Sequence, residues 1–471
     1  MKFSLAIVAS FFINSYTAQN GCPNGVQTRP NYLTMSQTDR DKFHNAIKTL
    51  NNGQGNTLYA NYTATHYAVG SGAHGSPGFF VWHRHFIRLF EKELQKIDSS
   101  IILPYWDWTR DSQAPETSQI FASNNMGPNG GGGSGGCIDS GTFAGWKVQS
   151  VNPNCVARWF ANGTTIPAWT SPEILDNYLN QNQRYDDLRE QVESTGHALV
   201  HTGIGGANGD LSFMYSPNDP IFWIHHGFVD YIWWEWQQRH PSAASDYPTD
   251  PNTTLLSTYN VPVSTTFDTT SSEYCYTYPR WTVNAPTVDP NTPPTSTSSS
   301  TLSSTITSQT PSSTSASQAS SSTASISNNP VATSTNDATT KITTKTTIKT
   351  TTKATTKGTT ISHGTPKAQP TLTNPWGFCP VGKFGMMIGC RKSRRASDLA
   401  SLAPQVASFP GYVSPTDRTT ASKIRVPAQV PSSYLEMNGI SADTARRCYL
   451  QSAIIACKIN LLPDYKPIAS L

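Results

Sequence analysis

The sequence has no Cys-x-x-Cys pair, no apolar run long enough to cross a bilayer, and no basic excess outside one short tract. Each absence removes a class of protein. Without closely spaced thiolates, the eight cysteines do not form a zinc-thiolate set. An even number of scattered cysteines fits disulfides in an oxidising compartment, with a connectivity that spacing alone does not give. The apolar run Phe3 to Ile13, preceded by Lys2, is too short to span a membrane. It reads as a secretory leader removed near Ala18, although Tyr16 is a poor fit where a small residue is preferred. The C-terminal stretch "INLLPDYKPIASL" lacks the tail of a glycolipid anchor signal. Export is therefore expected, and membrane attachment is not. The net charge of +4 is concentrated: Lys341, Lys345, Lys349, Lys353 and Lys357 lie in one threonine-rich stretch, leaving the remainder near neutral. Nothing in that balance points to nucleic acid.

Composition divides the 471 residues into four parts. Residues 1–18 are the leader, and 19–283 are rich in aromatics, histidines and helical patterns. Residues 284–373 collapse into Ser, Thr, Pro and Lys, bury too little apolar surface to offset chain entropy, and are expected to be disordered and open to O-glycosylation. Residues 374–471 recover apolar residues and four cysteines, and are expected to form a small disulfide-tied module. Three sequons, at Asn61, Asn162 and Asn252, agree with export.

Four amphipathic helices are predicted in the second part. "SQTDRDKFHNAIKTLNN" offers Ser36 or Thr38 as N-cap and Phe43, Ile47 and Leu50 as its apolar face. "SPGFFVWHRHFIRLFEKELQKID" repeats Phe79, Trp82, Phe86, Leu89, Phe90 and Leu94 at helical spacing. "YDDLREQVESTGHALVHTG" reads as a third helix ended by Gly203. The fourth, "SPNDPIFWIHHGFVDYIWWEWQ", carries Asn218 or Asp219 as N-cap and Pro220 in its first turn. The fold class is mainly α: a four-helix bundle with long loops.

The histidines carry the chemistry. His197 and His201 are four apart, so both imidazoles leave one helix face. A zinc protease shares that spacing but needs glutamate directly after the first histidine, where this chain has Ala198. His74 and His83 would lie on opposite faces of a continuous helix, but Gly75, Pro77 and Gly78 break the chain between them. His66 precedes a glycine-rich run able to bring it to the same point, with His44 and His85 as competitors. Adjacent His225 and His226 point about 100° apart and are not expected to face one point together. Adding His226 gives two sets of three imidazoles, which suits two borderline-to-soft ions such as copper. No carboxylate-rich cluster of the di-iron kind accompanies them.

The segments "AHGSPGFFVWHRHF", "LPYWDWT", "GHALVH" and "SPNDPIFWIHHGFVDYIW" resemble the copper-binding segments of tyrosinases, catechol oxidases and molluscan haemocyanins. The likeness spans about residues 25 to 280. Arg29 stands at the family's arginine position, and Tyr276 and Tyr278 in the tyrosine motif that closes its core. The resemblance implies two copper ions held by His66, His74, His83, His197, His201 and His226. It leaves His225 and Asp230 beside the metal ligands without binding metal, Asp230 supporting the fold or a histidine. It also implies O2 and phenolic small molecules as reactants, with oxidation of o-diphenols to o-quinones and ortho-hydroxylation of monophenols as reactions.

The chain departs from the family at several positions. Ala198 replaces the asparagine that helps orient a water in hydroxylating relatives. Glu193, one turn before His197, is the candidate for the carboxylate holding that water, and Glu190 is a weaker one. Thr202 and Met214 match positions near the copper entrance. Gly72 stands where fungal relatives carry a cysteine tied to the second histidine. Three functions follow: a secreted phenol oxidase serving melanin formation or protein crosslinking, a haemocyanin-like O2 carrier, or an inactive wall or matrix protein. The linker and C-terminal module are candidates for attachment to wall or matrix polymers. In relatives, such extensions also cover the copper site, and "SAIIACKINLL" is apolar enough to pack on the core.

Overall fold

Ser36 accepts a hydrogen bond from the Asp39 N–H at 3.1 Å and opens α1, Gln37–Leu50, burying Phe43, Ala46, Ile47 and Leu50. The structure, a computed structural model, describes residues 21–52, 57–131, 136–294 and 403–468. The leader, the lysine repeat, Cys379 and Cys390 lie outside them. After α1 come α2 (Leu58–Val69), α3 (Gly78–Ile97), α4 (Pro172–Gln181), α5 (Tyr185–Val192), α6 (Ala198–Gly205) and α7 (Ile221–Arg239). Two further helices follow near the C-terminus: α8 (Ser432–Met437) and α9 (Ala442–Ile459). The only named strands among the described residues are β1 (Gln27–Thr28) and β2 (Tyr276–Thr277), a parallel pair. The Cys22–Cys275 disulfide closes the end of that pair, and Cys137–Cys155 ties the long loop before α4.

Two of these elements differ from the sequence reading. Helix α2 was not expected, because its buried stripe of Tyr59, Ala60, Thr63 and His66 is half polar and shows little apolar period. The third expected helix is interrupted: a π turn over Glu193–His197 joins α5 to α6. Such single-turn insertions cluster at functional sites.

Helices α3 and α7 cross at the centre, with Phe90 stacked on Trp223 at 3.5 Å and Phe80 on Trp233 at 5.7 Å. The "LPYWDWT" segment runs over α7 at Gly227, where a Cβ would lie 2.6 Å from the Pro104 carbonyl. Beneath this crossing is a buried charge cluster. Asp230 accepts from Arg29 (3.1 Å), Arg84 (2.5 Å), Tyr276 (2.6 Å) and Tyr278 (2.6 Å), and Glu91 pairs with Arg29. Burial alone would raise the Asp230 carboxyl; Arg84 and Arg29 outweigh it and hold it below its ordinary value. Of the two roles expected of Asp230, its contacts are those of fold support, since none of its partners is a histidine.

The C-terminal part departs most from expectation. Residues 284–294, assigned to the linker, lie along α4: Asn177 and Gln181 donate to the Pro286 and Val288 carbonyls at 3.0 and 2.8 Å. Residues 403–468 do not stand apart as a module. Phe409, Ile424, Val426, Leu450, Ile454 and Ile455 belong to the same buried cluster as α1 to α7. Cys448 and Cys457 are buried free thiols, not a disulfide. They are nine apart on α9, which sets them on opposite faces of the helix. The apolar residues of this segment are buried against the helices that carry the histidines, in one shared core.

Candidate dinuclear metal site

The structure gathers His66, His74 and His83 into one group and His197, His201, His225 and His226 into another, with one ring atom of each residue within 4.8 Å of the others in its group. His66 comes from α2, His83 from α3, and His74 from the turn between them. His197 ends the π turn, His201 lies one turn into α6, and His225 and His226 lie on α7. The groups face each other, with His83 stacked on His226 at 4.2 Å. The competitors lie elsewhere: His44 bonds the Tyr32 hydroxyl at 2.8 Å and His85 the Tyr274 hydroxyl at 3.1 Å.

Backbone carbonyls fix five of the rings through Nδ1. His66 bonds Met214 O (2.7 Å), His74 bonds Gly70 O (3.0 Å), His83 bonds Phe79 O (2.8 Å), His197 bonds Glu193 O (3.2 Å) and His201 bonds Leu211 O (2.6 Å). A carbonyl only accepts, so each Nδ1 carries the proton and each Nε2 presents a lone pair. His66 and His83 then oppose two lone pairs at 3.4 Å with no proton between them, and His201 and His226 bring their Nε2 atoms to the same distance. The buried His197 Nε2 has no protein partner. Two bonds of about 2.0 Å to one metal, meeting at a tetrahedral angle, hold their nitrogens about 3.3 Å apart. The donor set fits a cation in each group. Burial lowers all these imidazoles, His74 and His201 to about 4 and the others well below their ordinary value, so they are neutral at pH 7 as ligands must be.

The remaining predicted residues take distinct places. Glu193 accepts from the Gly75 N–H at 2.6 Å and from Arg189 at 3.1 Å, joining the second group's π turn to the loop of His74. Burial, against the pull of Arg189, pushes its carboxyl up to about 7. Glu190 instead pairs with Arg447 of α9 at 2.5 Å. Ala198 is buried directly after His197. The Thr202 hydroxyl is bonded to the Ala198 carbonyl at 2.8 Å. Met214 contributes its carbonyl, which orients His66, a contact sequence reading did not foresee. Nor did it foresee Tyr434, whose buried ring on α8 lies 5.9 Å from that of His201. The turn after α8 closes over Gly75, where a Cβ would lie 2.4 Å from the Gly439 carbonyl. No periodicity marks Tyr434; only the packing of a distant segment brings it here.

Residues 42–239 match the family model described as the common central domain of tyrosinase. Tyrosinase ustQ of Aspergillus flavus is 31% identical over 285 residues, 53% of this chain and 78% of that protein. The chain belongs to the tyrosinase family. The tyrosinase of Streptomyces antibioticus is 30% identical over 238 residues, 46% of this chain and 84% of its own length. Among solved structures, a polyphenol oxidase of Thermothelomyces thermophila aligns with TM-score 0.44 and 22% identity over 55% of this chain and 91% of that one. A functional unit of octopus hemocyanin aligns with TM-score 0.43 and 19% identity, over 54% and 68%. This tyrosinase-family chain is a copper oxidoreductase with one dinuclear copper centre.

Proposed function

We propose that the chain is a secreted phenol oxidase, with O2 as oxidant and o-diphenols as its main substrates. Copper held by His66, His74, His83, His197, His201 and His226 would supply the O2 binding and electron transfer that phenol oxidation needs. Two catechols yield two o-quinones, and their four electrons and four protons reduce one O2 to two waters. The observation that carries the reading is the pair of facing histidine groups, five of whose rings are pinned by carbonyls with Nε2 turned inward. Neutral imidazoles held in orientation by second partners are what a metal ion needs from its ligands. Diphenol oxidation should exceed monophenol hydroxylation. Both Glu193 oxygens already serve Gly75 and Arg189, and Ala198 has no amide with which to orient a water. Export is supported by the apolar leader and the two disulfides. Quinones made outside the cell would feed melanin or protein crosslinking, and the Ser/Thr-rich tract would hold the enzyme near wall polymers.

Tyr434 favours a second state of the same enzyme. Its ring occupies the space beside His201, and the Asn438–Gly439 turn lies on the His74 loop. The chain as folded is a covered oxidase. Copper-loaded full-length protein and its Tyr434→Ala variant should be compared for L-DOPA oxidation. A rise of about tenfold or more in the variant is expected. Binding of O2 without turnover in both would favour an oxygen carrier, and neither binding nor turnover an inactive matrix protein.

A further inference from the structure

His225 is fully buried, and neither of its ring nitrogens has a hydrogen-bond partner. An imidazole that loses water on both nitrogens and gains nothing is disfavoured against an apolar ring of similar size. Packing therefore does not account for a histidine here. Its ring is stacked on His197 (5.3 Å, 19°) and meets His201 edge-on (4.8 Å, 83°). One of its nitrogens lies within 4.8 Å of a ring nitrogen of each of His197, His201 and His226. Two neighbours on α7 reach one site because that site lies in the sector between them. His226 approaches from the side of the first group, stacked on His83, and His225 from the side of α6. Among the six rings of the expected ligand set, His226 is also the one whose Nδ1 has no acceptor, so no hydrogen bond fixes its orientation.

We propose that His225 is a fourth donor to the second copper, holding the ion during loading and release and exchanging with the unpinned His226. One neutral imidazole replaces another, so the copper keeps its charge and oxidation state and no co-reactant is needed. The inference rests on the dinuclear copper reading of the site.

The test uses full-length apo protein given two equivalents of Cu(I), with uptake and then release to the chelator bicinchoninate followed by absorbance. His225→Met and His225→Leu have similar bulk, but only methionine carries a donor atom suited to Cu(I). The leucine variant is expected to take up its second copper more slowly and to release it at least tenfold faster than wild type. The methionine variant should stay within about threefold of wild type. Equal rates for leucine and methionine variants, or wild-type rates in both, would overturn the proposal. Should the leucine variant fail to fold, as judged by circular dichroism, His225→Phe replaces it in the same comparison. Fewer than two coppers bound by the wild type would count against the dinuclear reading itself.

Discussion

The two histidine groups hold their metals by different means. In the first, three separate backbone stretches each contribute one ring, and each ring is fixed by its own carbonyl, from Met214, Gly70 or Phe79. In the second, four rings crowd onto two helical stretches, and two of the four have no fixing carbonyl. The second group is also the one on the π turn and beside Tyr434. The difference teaches that a binuclear centre need not be equally rigid on both sides. The first group is a frame; the second holds the two rings without a fixing carbonyl and lies beside Tyr434.

The largest effect should come from removing one ligand on each side. His83→Ala and His226→Ala should each cut catechol oxidation by more than about 100-fold, beyond the loss typical when only an outer partner of a metal ligand is removed. Metal analysis should separate them: His83→Ala loses the first copper, while His226→Ala keeps part of the second through His225. Equal losses would erase the contrast between the groups.

Next comes the scaffold beneath α7. Asp230→Asn leaves Arg29 and Arg84 short of a buried counter-charge, and should cost about 3–5 kcal/mol in denaturant unfolding. Since α7 carries both His225 and His226, copper should be lost from the second group before the first.

Acid should weaken both groups in the copper-free chain. Burial lowers His74 and His201 from the ordinary 6.5 to about 4. The unfolded chain then binds more protons than the folded one, and stability falls as pH drops from about 6.5 through 4. Glu193, raised to about 7 by burial, works the other way, costing stability as pH rises from its ordinary value through 7. A thermal melt series between pH 4 and 8 should be dominated by the imidazoles, and copper should raise the melting temperature while leaving the fall in acid at least as steep, because bound metal keeps its ligands free of protons. Apo melting temperatures that do not fall between pH 6.5 and 4 would contradict this burial argument.

The smallest expected effect is Ala198→Asn, which puts an amide beside His197. The ratio of monophenol hydroxylation to diphenol oxidation should rise about two- to fivefold, a change of about 1 kcal/mol or less in barrier. An unchanged ratio would separate the amide from the hydroxylation step in this chain.

How much of this was legible in the sequence depends on how local each feature is. Helix α1 follows from its period and the Ser36 cap and α3 from the Phe79-to-Leu94 stripe, whereas α7 is buried from Ile221 to Gln237 and starts after Pro220, not at the expected Asn218 or Asp219 cap. The i, i+4 relation of His197 and His201 holds across the end of the π turn. What failed was reasoning from ideal geometry or from composition. The 100° rule correctly describes His225 and His226 but does not say that a site can sit between two directions. Helix α2 hid behind Thr63 and His66, polar residues that are buried in its core-facing stripe. The C-terminal segment looked self-contained because cysteines suggest staples. Its true partner is the surface of α4, α5 and the π turn, where Ser452 meets Tyr178 and Gln191 donates to the Cys448 carbonyl at 3.0 Å.

Tyr434 and the turn after it lie far along the sequence from every histidine of the two groups, the last of which is His226. The residues that carry the metal ligands and the residue that packs beside His201 therefore come from separate stretches of chain, brought together only by tertiary packing. Copper reaching the full-length chain has to pass Tyr434 and the turn after it, so uptake should be slower there than in a Tyr434→Ala variant with the same six ligands.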